Sequence, residues 1–200
     1  MRKFCLTSLA LVLAVAVSIA CSSAQTQSSA QPASYGFRQR AVIELQSAQK
    51  EIVALAQAMP QEKYTWRPAE GVRSVAEVYL HITAANYGLT ALAGVPPKAG
   101  FKFQGFEKST TDKAQIVQQL NDSFEYAENG ISKLTDADLL KPVKFQTYSN
   151  AGDIVLHIVA HAHEHLGQSI AYARTNGVVP PWTAERQAAQ AAQPAQAPKQ

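Results

Sequence analysis

Four stretches of this chain repeat apolar residues at intervals of three and four, and proline or glycine closes three of them. That spacing returns side chains to one face of a helix at every turn, so each stretch predicts an α-helix with an apolar stripe. The first covers 38–59, with Val42, Leu45, Ile52, Leu55 and Met59 on the stripe and Pro60 as its stop. The second opens at Ser74, where Glu77 completes a capping box, and carries Val78, Leu80, Ile82, Leu89 and Leu92 toward Gly94 and Pro96-Pro97. The third, 111–134, has Ile116, Leu120, Phe124, Ala127, Ile131 and Leu134. Gly130 lies inside it and costs about 1 kcal/mol against alanine. The fourth starts near Asn150, with Asp153 favouring its positive end, and runs to Asn176-Gly177 ahead of Pro180-Pro181. No stretch alternates convincingly as a strand. The expectation is an all-α fold, a four-helix bundle, in which several helices can direct side chains at one interior point.

The connections read as a loop over 60–74 that returns Tyr64 and Trp66 to the bundle, a longer link over 95–110, and a turn-rich crossing over 135–149. Ahead of the helices, Arg2 and Lys3 precede an apolar run that ends in small residues, the pattern of a signal peptide over 1–24. The run is short for a transmembrane domain. Ser22-Ser23-Ala24 suits cleavage before Gln25, which implies an exported, periplasmic or secreted protein. A lipid anchor at Cys21 is the alternative, though Ser18 stands where a lipoprotein site usually has an aliphatic residue. Residues 25–34 and the Ala/Gln/Pro tail 184–200 cannot bury enough apolar surface to offset the entropy of ordering, so both are expected to be disordered. The folded domain is expected over 35–183.

Both cysteines, Cys5 and Cys21, fall in the leader, so a chain cut after Ala24 contains no thiol. Disulfides, cysteine nucleophiles and cysteine-rich metal sites are thereby excluded from the folded domain. The formal charge is +3, or +1 once Arg2 and Lys3 are removed. That balance gives no reason to expect nucleic acid or an anionic membrane surface as a partner.

Four of the five histidines fall within "HIVAHAHEHLGQ", residues 157–168. Residues four apart on a helix lie one turn apart on the same face, so adjacent members of His157, His161 and His165 can point two imidazoles at one ion. The outer pair is separated by about 12 Å of helix rise, too far to share an ion easily. Spacing therefore leaves two pairs open, 157 with 161 or 161 with 165. His163 points to the opposite side. The remaining histidine, His81, lies in the second helix between Leu80 and Ile82 and can supply a third imidazole. Each histidine also has a plain reading as a satisfied polar residue, and Glu77, four residues before His81, as a cap rather than a ring-orienting group. The segment is not a zincin motif, because Ala162 follows His161 where that motif needs glutamate, and Glu164 lies off the ligand face. No catalytic residue is assigned.

"HAHEHLGQSIAYARTNGVVPP" resembles the last helix of the DinB-like superfamily, with His161, His165 and Gly167-Gln168 followed by Arg174, Gly177 and Pro180-Pro181. "MPQEKYTWRPAEGVRSVAEVYLHI" is similar to that family's approach to its second helix, ending at His81. The resemblance spans about 37–182. It implies an up-down-down-up bundle with a divalent metal ion, zinc or nickel, on His81, His161 and His165, and it leaves His157 outside the ligand set. Family members are often homodimers. Many have a basic residue where Leu166 stands, so no contact by that position carries over. The resemblance implies a metal-dependent enzyme acting on an unidentified small-molecule substrate, hydrolase-like or thiol S-transferase-like. Members linked to low-molecular-weight thiols are intracellular, and an export signal weighs against the second chemistry. The competing reading is a non-catalytic envelope protein with a structural or stored ion.

Overall fold

The computed structural model describes residues 36–192. The expected signal peptide, the Cys21 site, the 25–34 linker and residues 193–200 lie outside the described residues. Six α-helices and one hairpin follow in order: α1 Phe37–Ala58, α2 Val75–Leu92, α3 Lys113–Lys133, α4 Asp136–Leu139, β1 Pro142–Phe145, β2 Tyr148–Asn150, α5 Ala151–Thr175 and α6 Pro181–Ala191. The four long stripes thus become α1, α2, α3 and α5. Among the described residues no helix is long and apolar enough to cross a membrane.

Local sequence accounts for where these helices begin and end. Met59 leaves helical geometry because a residue before proline is driven to extended backbone. Ser74 and Glu77 form both bonds of a capping box, Asp112 caps α3, and Thr135 with Asp138 on α4 and Asn150 with Asp153 on α5 close two further capping boxes. Glu77 is therefore a cap, further held by Arg67 at 3.2 Å.

Side-chain bridges fix the direction of each helix. Arg38 meets Leu134, Gln46 meets Glu128, and Lys113 meets Gln57, so α1 and α3 run antiparallel. Asn86 bonds Ser123, and the Thr90 methyl reaches Gly130, so α2 and α3 run parallel. His81 meets His161 while Tyr172 reaches back to Arg73, so α2 and α5 are antiparallel. With α5 also packed on α1, the order is up-down-down-up. Leu45, Ile52, Leu55, Ile82, Ile116, Leu120, Phe124 and Ile131 are buried on the interior face. Tyr64 is buried as well, its hydroxyl donating to the Ala56 carbonyl at 2.8 Å, and Trp66 packs edge-on against Tyr172.

Two expectations need correction. Residues 184–191 are helical, continuing α6, rather than disordered. α5 ends at Thr175, capped by Asn176 and turned by left-handed Gly177, ahead of Pro180-Pro181. Pro181 then occupies the first helical position, where its missing N–H and fixed φ suit a new helix, and alanine and glutamine extend it. The 135–149 crossing contains β1 and β2, which pair antiparallel from Phe145 to Tyr148 around Gln146, whose φ of 50° is left-handed. Strands this short show too little alternation to read in sequence.

Gly130 has a packing reason. A Cβ there would lie 2.8 and 2.9 Å from the two Val95 methyls, so the absence of a side chain lets the chain beyond α2 close onto α3. Helix propensity alone predicts that Gly130→Ala stabilises by about 1 kcal/mol. The clash with a stiff β-branched side chain reverses the sign, and a net loss of about 1–2 kcal/mol is expected in urea unfolding.

Candidate metal centre

The antiparallel packing of α2 on α5 brings His81 against His161 and His165. The Nε2 atoms of His161 and His81 are 3.1 Å apart, as are those of His165 and His161. The three groups offer ligand atoms all within 4.8 Å of one another. His161 and His165 are buried, and His81 is half-buried.

The outward nitrogens settle the protonation of two rings. His81 Nδ1 lies 2.7 Å from Glu107 Oε1, and that carboxylate is also gripped by Arg73 Nε at 2.7 Å. Burial would raise the Glu107 pKa, but the hydrogen bonds from Arg73 and His81 outweigh it and hold the group below its ordinary value. An ionised carboxylate only accepts, so His81 Nδ1 carries the proton and Nε2 presents a lone pair.

On α5 the same result follows through a longer relay. The Tyr172 hydroxyl donates to the Arg73 carbonyl at 3.1 Å, so it accepts from the Gln168 amide NH2, also at 3.1 Å. That orientation turns Gln168 Oε1 toward His165 Nδ1 at 2.8 Å. His165 Nδ1 therefore donates, and its Nε2 also offers a lone pair toward His161. Arg73 anchors both arms, one through its guanidinium and the other through its carbonyl.

His161 closes the cluster. It can carry one proton between two facing lone pairs and so can satisfy only one of them. Burial, then the neighbouring His165, His81, His157 and Arg73, push its pKa down to about 3. Burial also lowers His165. A cluster of inward lone pairs that resists protonation suits a cation. Two ligands about 2.05 Å from a tetrahedral ion stand roughly 3.3 Å apart, close to the 3.1 Å separations here. His81, His161 and His165 could hold a metal ion.

The other histidines lie apart. His157 stacks on Tyr148 and bonds its hydroxyl at 3.0 Å. His163 is exposed, with Nδ1 3.0 Å from the Val159 carbonyl and Nε2 4.0 Å from Glu44 on α1. Glu77 does not reach His81; Glu107 takes that place. Glu107 comes from the 95–110 link, where a lone acid carries no spacing signal, and Gly105 at φ 76° turns the chain to deliver it. Gln168 is part of the quoted Gly-Gln pair, yet its role depends on Tyr172 and Arg73, which spacing does not connect.

Beside the three histidines opens a cleft of about 910 Å³, within the range of small-molecule sites. Ala84, Ala85 and Gly88 of α2 line it, with Phe103, Phe145 and the exposed Glu164. His157 also faces it.

These features define a helical bundle with a histidine cluster fit for a metal and a cleft beside it. The chain belongs to the DinB superfamily, whose sequence pattern matches residues 44–169. No curated protein matches it. Among solved structures, a DinB-like protein from Bacillus cereus ATCC 10987 is similar at TM-score 0.59 and 20% identity, over 72% of this chain and 93% of that one. A DinB-like protein from Bacillus subtilis is similar at TM-score 0.56 and 16% identity, over 70% and 94%. At those identities the likeness concerns the fold.

Proposed function

We propose that this chain binds a divalent ion, zinc or nickel, through His81, His161 and His165, and is a metal-dependent enzyme with hydrolase-like chemistry on a small molecule. The observation that carries the reading is the direction of the donors: three imidazole nitrogens converge beside an open cleft. Imidazole suits zinc, nickel and neighbouring transition metals, whereas magnesium and calcium favour oxygen donors. When bound, the ion supplies Lewis acidity for hydrolysis.

The chain's own residues do the positioning. Glu107 and Gln168 hold two rings in the tautomer that ligation needs, and Arg73 and Tyr172 hold those partners in turn. Apolar residues wall the cleft beside the centre, while His157 and Glu164 place polar groups in it.

A structural or stored ion would need the same histidines but a closed shell, and the open cleft favours catalysis. X-ray absorption of the zinc-loaded protein tests this directly. Three histidine nitrogens with at least one exchangeable oxygen donor are expected. A shell filled entirely by protein atoms would overturn the catalytic reading in favour of structure or storage.

A further inference from the structure

We infer that the substrate is an acyl compound with a metal-liganding carbonyl head and an uncharged apolar body, lying along α2 away from His81. This rests on the metal-dependent reading above and adds the substrate class.

The cleft has a direction. Residues 84, 85, 88, 91 and 92 follow His81 on one face of α2 and all line it. From 81 to 92 the helix rises about 16 Å, so the cleft extends well beyond the histidines. Ala84, Ala85, Gly88 and Ala91 keep its floor low. Gly88 is bare where it matters: a Cβ would stand 3.0 Å from the Phe103 ring, which rests against the helix there as a wall.

The lining changes character along that line. Its charged groups gather at the histidine end: Arg73 bonds Glu107, which in turn bonds His81, and Glu164 adjoins His165 in the chain. Ala91, Leu92, Pro97 and Phe103 carry the lining onward along α2, and Gln146 of the hairpin turn and His157 add the polar groups of the opposite wall. Leu92 is 39% exposed and Phe103 59%, although Leu92 belongs to the apolar stripe whose other members are buried. Two large apolar side chains left in water on the walls of one cleft are covered when an apolar body lies between them. A sugar-like or anionic tail would lose hydration against Leu92, Pro97 and Phe103, whose side chains offer it no hydrogen-bond partner. At the head, His161 is buried and, among the described residues, its ring nitrogens make no hydrogen bond except to the two facing imidazoles, so the liganding end belongs at the cluster.

A homologous series of alkyl hydroxamates on the zinc-loaded full chain, followed by calorimetry, separates head from tail. Acetohydroxamate reports the centre alone. Hexano- and octanohydroxamate should bind about fourfold tighter per buried methylene, giving roughly a hundredfold from the shortest to the longest if about half of the added methylenes are buried, and more if all are. Ala91→Trp should retain zinc and acetohydroxamate affinity while cutting the octanohydroxamate advantage to about tenfold or less. Absence of bound zinc overturns both this inference and the metal-dependent reading. Zinc present with no gain along the series, or with no hydroxamate bound at all, overturns the substrate class alone.

Discussion

Zinc content is expected to fall from about one ion per chain to none when His161 is replaced by alanine. His161 has the strongest claim because its Nε2 is 3.1 Å from both other ring nitrogens, so its loss removes the central donor. His81→Ala and His165→Ala should each leave a two-donor remnant and strip the ion during dialysis. His157→Ala and His163→Ala should retain full occupancy, since one ring is turned to Tyr148 and the other to the Val159 carbonyl. The effect extends to stability. An ion held at a thousand times its dissociation constant stabilises the folded state by about 4 kcal/mol. For a domain of this size that is a rise of about 8–16 °C in midpoint over the chelated protein. Wild type, His157→Ala and His163→Ala should show the rise, and the three ligand variants should melt where chelated protein melts. Full occupancy in either His81→Ala or His165→Ala would show that the ligand assignment is wrong. Loss of zinc in His157→Ala, with His165→Ala unaffected, would move the pair one turn toward the helix start.

The bundle was legible because its driving term is periodic: Leu45, Ile52 and Leu55, or Ile116, Leu120 and Phe124, recur at one- or two-turn intervals and are buried in the structure. Caps were legible for a related reason, being encoded within three residues, as with Ser74 and Glu77 or Asn150 and Asp153. The centre was legible only in part. Helix spacing alone paired His161 equally with His157 or His165, and the contacts that separate those rings do not follow from that spacing. Tyr148, brought to His157 by a hairpin too short to alternate, occupies one; Gln168 and Tyr172 orient the other. Glu107 was illegible for a different reason. Its meeting with His81 depends on how a long link folds, and a single acid in such a link resembles any surface acid. Leu92 shows the converse: periodicity placed it correctly on an apolar face, but that face continues out of the core and into the cleft. Apolar pattern reports that a side chain avoids water, not which partner it finds.

Glu107→Ala should weaken zinc binding by about 10- to 100-fold while leaving the chelated protein's melting temperature within a few degrees of wild type. The two readouts separate because Glu107 sits on a partly exposed link, not in the core, so its loss deprives the core of little packing. What it does remove is the acceptor at 2.7 Å that keeps the proton on His81 Nδ1. Without it the ring can turn, or take the tautomer whose Nε2 carries the proton and cannot ligate. The released Arg73 guanidinium then adds an unpaired positive charge beside a cationic site. Glu107→Gln retains a carbonyl acceptor and loses the charge, so a smaller loss of about tenfold is expected. Tyr172→Phe probes the other arm: the Gln168 amide no longer has a partner that dictates its orientation, and an amide turned with NH2 toward His165 favours the wrong tautomer there. It too should cost about tenfold or more in affinity. Because the arms meet at Arg73, the double variant Glu107→Ala/Tyr172→Phe should depart from the product of the single effects. Competition titration against a zinc chelator measures wild type and all four variants. Wild-type affinity in both Glu107→Ala and Tyr172→Phe would show that the rings are held without these partners and that the Arg73 network does not serve the metal.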